Sequence, residues 1–100
     1  MKVDLQHAID QVEKAVAAAE AEIGPREGAG LDWWDRHRDV MKRCGDDLTE
    51  RLGARINDRW DGCRVRIAGV SSTCTAGLHG CLKNWLRAAR AHLENARAEQ

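Results

Sequence analysis

The chain of 100 residues contains no phenylalanine and no tyrosine, so four tryptophans are its only large aromatic residues. Dedicated nucleic-acid-binding proteins commonly stack bases on exposed aromatic rings, and this composition disfavours that role. The formal net charge of zero argues in the same direction. No apolar run approaches the roughly 20 residues of a membrane span, so no membrane association is expected. The opening Met1-Lys2-Val3-Asp4-Leu5-Gln6-His7 also lacks the apolar stretch of a secretory signal. The expected location is therefore cytoplasmic, with the four cysteines kept as reduced thiols. There is no Gly-Lys-Ser/Thr phosphate loop, no metalloprotease or deaminase pattern and no Ser/His/Asp constellation. Neither enzymatic activity nor a cofactor is expected. What remains, at 43% hydrophobic and 32% charged residues, is the composition of one folded domain spanning residues 1–100.

The charge is unevenly spread. Residues 1–50 carry −5, residues 51–90 carry +6 and residues 91–100 carry −1. Either the two halves neutralise each other within the fold, or the protein presents one acidic and one basic face.

From Val3 to Ile23, the residues Leu5, Ile9, Val12, Val16, Ala19 and Ile23 recur at spacings of four and three, the seam of an amphipathic helix. Gly24-Pro25 stops it, and Gly24 to Gly30 reads as a loop. The seam suits docking on the same domain or, alternatively, a homodimer through residues 5–23. A second helix is expected from an Asp32 N-cap to a Gly53 C-cap, with Trp33, His37, Val40, Cys44 and Leu48 on its stripe. Gly45 in its interior costs about 1 kcal/mol relative to alanine. Trp33 and Trp34 point about 100° apart, so one of them belongs at the rim, where tryptophan commonly anchors an interface. Trp34, on the flank of the stripe, is the candidate anchor.

The period then changes. Cys63-Arg64-Val65-Arg66-Ile67 alternates apolar and basic residues, as a half-buried strand does. Asp61-Gly62 reads as a hairpin turn that pairs Trp60 with Cys63, Asp58 with Val65 and Ile56 with Ile67. One face is then apolar, Trp60 included, and the other collects Arg55, Asn57, Arg59, Arg64 and Arg66, with Arg59 directly opposite Arg64. The alternative continues the second helix through Ile56 and Trp60 and gives an all-α bundle. Val70 to Thr75 supplies candidate caps, and a third helix runs from Thr75 to Ala98. Its buried stripe is Leu78, Leu82, Trp85, Leu86, Ala89, Leu93 and Ala96. A separate basic ridge carries Lys83, Arg87, Arg90 and Arg97. The expected fold class is α+β, predominantly helical, in the order helix-helix-β-hairpin-helix.

The guanidinium groups of Arg55, Arg59, Arg64 and Arg66 are the leading binding candidates, because the planar fork of arginine suits carboxylates and phosphates. Lys83, Arg87 and Arg90 form a secondary basic ridge that would extend a nucleic-acid track. Asp4, Asp10, Glu13, Glu20 and Glu22 would serve a phosphate-imitating acidic face. Cys63, Cys74, His79 and Cys81 are weak zinc candidates, since their spacing lacks paired Cys-x-x-Cys knuckles. Cys74, placed near a helix start, is a candidate reactive thiol.

Trp33-Trp34-Asp35-Arg36-His37-Arg38, and the stretch from Arg64-Val65-Arg66-Ile67-Ala68-Gly69 through Leu78-His79-Gly80 to Asn84-Trp85-Leu86, stand in an Ala/Arg/Asp/Gly-heavy chain. In these features it resembles the small accessory proteins of temperate phages and other mobile elements of GC-rich bacteria, anti-CRISPR proteins among them. The resemblance implies a single-domain, non-enzymatic inhibitor that occupies a surface of a host protein or ribonucleoprotein complex in the bacterial cytoplasm. It assigns no role to any residue. On the residues themselves, the arginines clamping an acidic protein surface with Trp34 as anchor is the first expectation. A small nucleic-acid-binding protein using the same arginine face is the alternative.

Overall fold

The computed structural model describes residues 4–24, 30–59, 61–75 and 77–98. Helix α1 (Leu5–Ile23) and helix α2 (Leu31–Leu52) are followed by strands β1 (Arg55–Arg59), β2 (Gly62–Ile67) and β3 (Val70–Cys74), and by helix α3 (Leu78–Ala98). The strands form one antiparallel sheet in the order β1-β2-β3. The fold is thus α+β and mostly helical, helix-helix-hairpin-helix, with a third strand added to the hairpin. The all-α alternative is excluded, because the four-residue spacing from Leu48 to Ile56 is broken at Gly53, whose φ of 64° ends α2.

The apolar seam of α1 is used inside the molecule. Ala8, Ile9, Val12, Val16, Ala19 and Ile23 are all buried, because α1 packs against both α2 and α3. Of the two uses open to the seam, docking on the same domain and a homodimer through residues 5–23, the fold realises the first: these side chains fill the core of one chain.

Helix α2 begins at Leu31 with Gly30 as its N-cap, and Asp32 lies in the first turn rather than at the cap. There its charge complements the positive end of the helix dipole. Gly45 has a packing reason. A Cβ at that position would sit 3.0 Å from Leu78 Cδ2 and 3.4 Å from Ile56 Cδ1, so the missing side chain lets the start of α3 and the inner side of β1 close onto the middle of α2.

The hairpin register differs from the expected one. Arg55 pairs with Arg66, Ile56 with Val65, Asn57 with Arg64, Asp58 with Cys63 and Arg59 with Gly62. Each partner is displaced by two residues, and Asp61 stands in the turn. Side chains alternate with period two, so this slip leaves every described residue of the hairpin on its expected face, and the hydrophobic pattern alone does not discriminate between the registers. Arg59 consequently faces Gly62, and the directly opposed like charges are Arg55 and Arg66. Trp60, expected on the apolar face, lies outside the described residues, as does the 25–29 part of the first loop.

Val70 to Cys74 is a strand, not a run of helix caps. Its partners on β2 run from Cys63 with Cys74 to Ile67 with Val70. The two-residue connection is Ala68-Gly69, with φ of 52° and 81°, the two positive values that a type I′ turn requires. Alanine is a poor residue for that conformation, and the connection therefore carries no conventional turn signal. Helix α3 begins at Leu78 and covers the sheet from one side. The indole of Trp85, fully buried, donates from Nε1 to the Val70 carbonyl at 3.0 Å. Along α3, Leu93 is half-buried and Ala96 exposed. A helix of 21 residues is about 31 Å long, whereas a five-residue strand spans roughly 17 Å, so the last turns outrun the sheet.

Two stability measurements check this packing. Ala68→Asn should raise the urea midpoint, by about 1 kcal/mol of stability, because asparagine tolerates positive φ better. Trp85→Ala should cost about 3–5 kcal/mol, since it removes the largest buried side chain and leaves the Val70 carbonyl without its donor.

Candidate functional site

Burial of one sheet face fixes the chemistry of the other. Cys63, Val65 and Ile67 of β2 point into the core, so Arg64 and Arg66 point out. The pairings extend this outer face across all three strands. One rank is Arg55, Arg66 and Ser71; the next is Asn57, Arg64 and Thr73; Arg59 lies beyond them, opposite Gly62. All seven of these polar side chains are exposed. Strands lie about 4.8 Å apart, and alternate residues along one strand about 6.6 Å apart, so the four guanidinium groups spring from a patch little more than 10 Å across.

No carboxylate of the described residues pairs with any of the four arginines. The ion pairs lie elsewhere: Arg38 with Asp35, Arg43 with Glu22 at 2.5 Å, Arg51 with Asp47 at 2.9 Å, Lys83 with Glu20 at 3.1 Å, and Arg90 with Glu13. On the sheet, Arg59 Nε donates to Asn57 Oδ1 at 3.3 Å. Asp58 alternates onto the opposite face. Asp61 lines the tip end of a shallow depression whose other sides include Asn57, Arg59, Arg64 and Thr73.

The secondary ridge fares differently. Lys83 and Arg90 are matched by α1 carboxylates, which leaves Arg87 as the ridge residue without an ion pair among the described residues. The same pairs engage Glu13 and Glu20, and Arg43 engages Glu22, so the acidic face that would imitate phosphates is largely neutralised from within. Nothing is described of the Arg97 side chain.

Trp34 does not share the arginine face. It is half exposed, at 50%, and lines a groove of about 520 Å³ with His37, Met41, Gly45, Ile56, Leu78 and His79. Ile56 and Asp58, which also line this groove, alternate with the arginines of β1. An arginine clamp anchored by Trp34 is therefore not assembled. Trp33 packs edge-on to Trp34 with ring centroids 4.8 Å apart and donates from Nε1 to the Gly24 carbonyl at 3.2 Å. Arg36 donates to the Ile23 carbonyl, also at 3.2 Å. The two together tie the end of α1 to the start of α2.

The zinc set is not assembled either. Cys63 lies opposite Cys74, and Cys81 Sγ lies 3.3 Å from the Ser72 carbonyl and 3.5 Å from that of Cys63. His79, by contrast, places Nε2 at 2.9 Å from Glu20 Oε1, between α3 and α1. Among the described residues, no three His, Cys, Asp or Glu side chains are disposed to hold a metal ion. Burial, reinforced by the neighbouring Cys81, pushes the Cys63 thiol up to about 12, and burial raises Cys81 as well. Both are thus protonated at neutral pH. Cys74 sits within β3, so the helix-start argument for its reactivity does not apply.

Asn57, Ser71 and Thr73 complete the face. Asn57 is legible in the sequence as a member of it, but the two hydroxyl residues are not, because the composition of residues 70–75 also suits helix caps. The Val/Ser/Thr run immediately after Gly69 was the available signal. No helix of the described residues is long and apolar enough to cross a membrane. No family model, curated protein or solved structure matches this chain.

Two groups at the α1–α3–α2 junction set the acid response. The hydrogen bonds from His79 and Lys83 hold the Glu20 carboxyl below its usual 4.5. Burial, then the nearby His79 charge, lowers His37 below 6.5. In both cases the folded chain binds the proton less readily than the unfolded chain, so their contribution to stability is present above the unfolded value and lost as pH falls. The urea midpoint should decline on acidification, first from about pH 6.5 through His37 and again below about pH 4.5 through Glu20. Glu20→Gln should flatten only the second part of that decline.

Proposed function

We propose that this chain is a non-enzymatic cytoplasmic binding module that lays the outer face of its sheet on the phosphates of a nucleic acid, free or held in a host ribonucleoprotein. The observation that carries this reading is selective charge matching. Arg38, Arg43 and Arg51 of α2 and Lys83 and Arg90 of α3 have carboxylate partners within the molecule, whereas all four sheet arginines, Arg55, Arg59, Arg64 and Arg66, have none among the described residues. Arg55 directly opposite Arg66 is unfavourable by a few tenths of a kcal/mol up to about 1 in isolation, and external anions relieve it. Asn57, Ser71 and Thr73 supply further hydrogen-bonding groups, and no apolar side chain stands in these ranks to serve as the hot spot of a protein interface.

A second reading is inhibition of a host protein by surface occupation, as in the phage accessory proteins that the sequence resembles. One observation favours it: the half-exposed Trp34 beside its groove. It predicts that Trp34→Ala abolishes co-purification of a defined host protein, while the arginine variants retain it.

For the leading reading, fluorescence anisotropy of labelled nucleic acid should show binding at low salt that weakens as salt rises. The slope of log K against log salt should be about −2 to −4, as expected for two to four phosphate contacts. The quadruple alanine variant of Arg55, Arg59, Arg64 and Arg66 should lose this binding. The triple alanine variant of Lys83, Arg87 and Arg90 should keep nearly all of it. Absence of binding by the wild-type chain at low salt overturns the reading.

A further inference from the structure

Building on the phosphate-binding reading, we infer that the partner is duplex DNA and that the sheet enters its major groove, with Arg64 and Arg66 of the central strand reading base edges and Arg55 and Arg59 of the edge strand holding the backbone. The major groove of B-form DNA is about 12 Å wide and admits a two-stranded β-ribbon; the β1–β2 hairpin, whose strand axes lie about 4.8 Å apart, is such a ribbon, and β3 then runs along the groove wall. The central strand of an inserted sheet is the one nearest the groove floor, and it is the strand that carries an adjacent pair of outward arginines. Arginine offers two parallel donors to guanine O6 and N7, and asparagine matches adenine N6 and N7 in the same bidentate way. Arg64 and Asn57 stand opposite each other in one rank, and Arg66 stands in the next. Ranks about 6.6 Å apart match roughly two base-pair steps, so the face presents side chains suited to alternate base pairs. Ser71 and Thr73 on the other edge strand offer hydroxyls to the opposite phosphate wall.

The same observations weigh against other nucleic acids. No aromatic ring stands in the ranks of this face among the described residues, so it offers no stacking platform for single-stranded bases. The major groove of A-form RNA is too deep and narrow to receive a sheet. An acidic protein would meet the charge but not the asparagine and hydroxyl groups, and would find no apolar anchor in these ranks among the described residues. Rigidity also favours groove insertion. Trp85, Cys81 and Leu82 of α3 are fully buried behind the sheet, so the arginines stand on a backed platform whose ordering cost is met in the free protein.

The test compares a DNA duplex of roughly 20 base pairs with the RNA duplex and the single strand of equivalent sequence, all at low salt, after selection of a preferred DNA sequence from a random pool. The DNA duplex should bind at least tenfold more tightly than either alternative. Replacing guanine by 7-deazaguanine in the selected sequence, which removes the N7 acceptor, should weaken binding tenfold or more. An excess of a minor-groove ligand should leave binding unchanged. Arg64→Ala with Arg66→Ala should erase the preference for the selected sequence, whereas Arg55→Ala with Arg59→Ala should weaken all duplexes alike and make the salt slope shallower by about two. Circular dichroism of each variant, expected to match the wild type, confirms that the fold is kept. Equal binding of DNA, RNA and single strands, or indifference to 7-deazaguanine, overturns the major-groove inference while leaving the phosphate-binding reading intact. Failure of every nucleic acid to bind overturns both.

Discussion

The structure depends on the packing of α3 against one face of a three-stranded sheet. Strand side chains alternate, so the burial of Cys63, Val65 and Ile67 beneath α3 leaves Arg64 and Arg66 no direction but outward. A strand pinned by three core residues cannot rotate to hide its charges, and a one-residue slip would bury both guanidinium groups. Trp85 reinforces this arrangement from the helix side, since its indole hydrogen bond to the Val70 carbonyl fixes α3 relative to the last strand. The exposed arginine face is therefore a consequence of the core, and the two are encoded by the same residues in alternation.

Charge follows a similar division. The acidic half of the sequence meets part of the basic half within the fold, mostly where α1 lies along α3 and α2: Glu13 with Arg90, Glu20 with Lys83, Glu22 with Arg43. These pairs are exposed, and each adds little stability by itself. Their larger effect is on what remains. Once Glu13, Glu20 and Glu22 are engaged at the helical end, the outer face of the sheet is left with four cations and, among the described residues, only Asp61 at its margin. A molecule with no net charge thus carries a concentrated local field, which is what an approaching polyanion responds to.

Much of this was legible in the sequence. Helical periodicity placed α1 and α2 to within a few residues, and the alternation from Cys63 to Ile67 located the central strand and assigned each arginine to the correct face. What escaped was information that a single-chain pattern does not hold. The hairpin register was displaced by two residues because both registers satisfy the same alternation. Strand β3 was missed because Ala68-Gly69 makes a type I′ turn with an alanine where asparagine or glycine is usual. The seam of α1 is compatible with self-association or internal docking, and only the three-dimensional packing distinguishes them. His79 and the three clustered cysteines lie close in sequence, yet the helix turns the histidine toward Glu20 and Cys81 toward the sheet.

Missing aromatic residues also take on a different meaning once the fold is known. In the sequence, the lack of phenylalanine and tyrosine argued against nucleic acid in general. In the structure, that argument narrows to single strands, because stacking is needed only where bases are unpaired. A duplex offers phosphates along its walls and donors and acceptors on its floor, and it is read by guanidinium, amide and hydroxyl groups. Those are the groups that stand in ranks on this sheet. Trp34, the one large apolar side chain left exposed among the described residues, lies on the other side of β1. Were the arginines part of an ordinary protein interface, an apolar anchor would be expected among them. Its segregation into a separate groove is the strongest structural argument that the sheet face is built for a polar, highly charged partner.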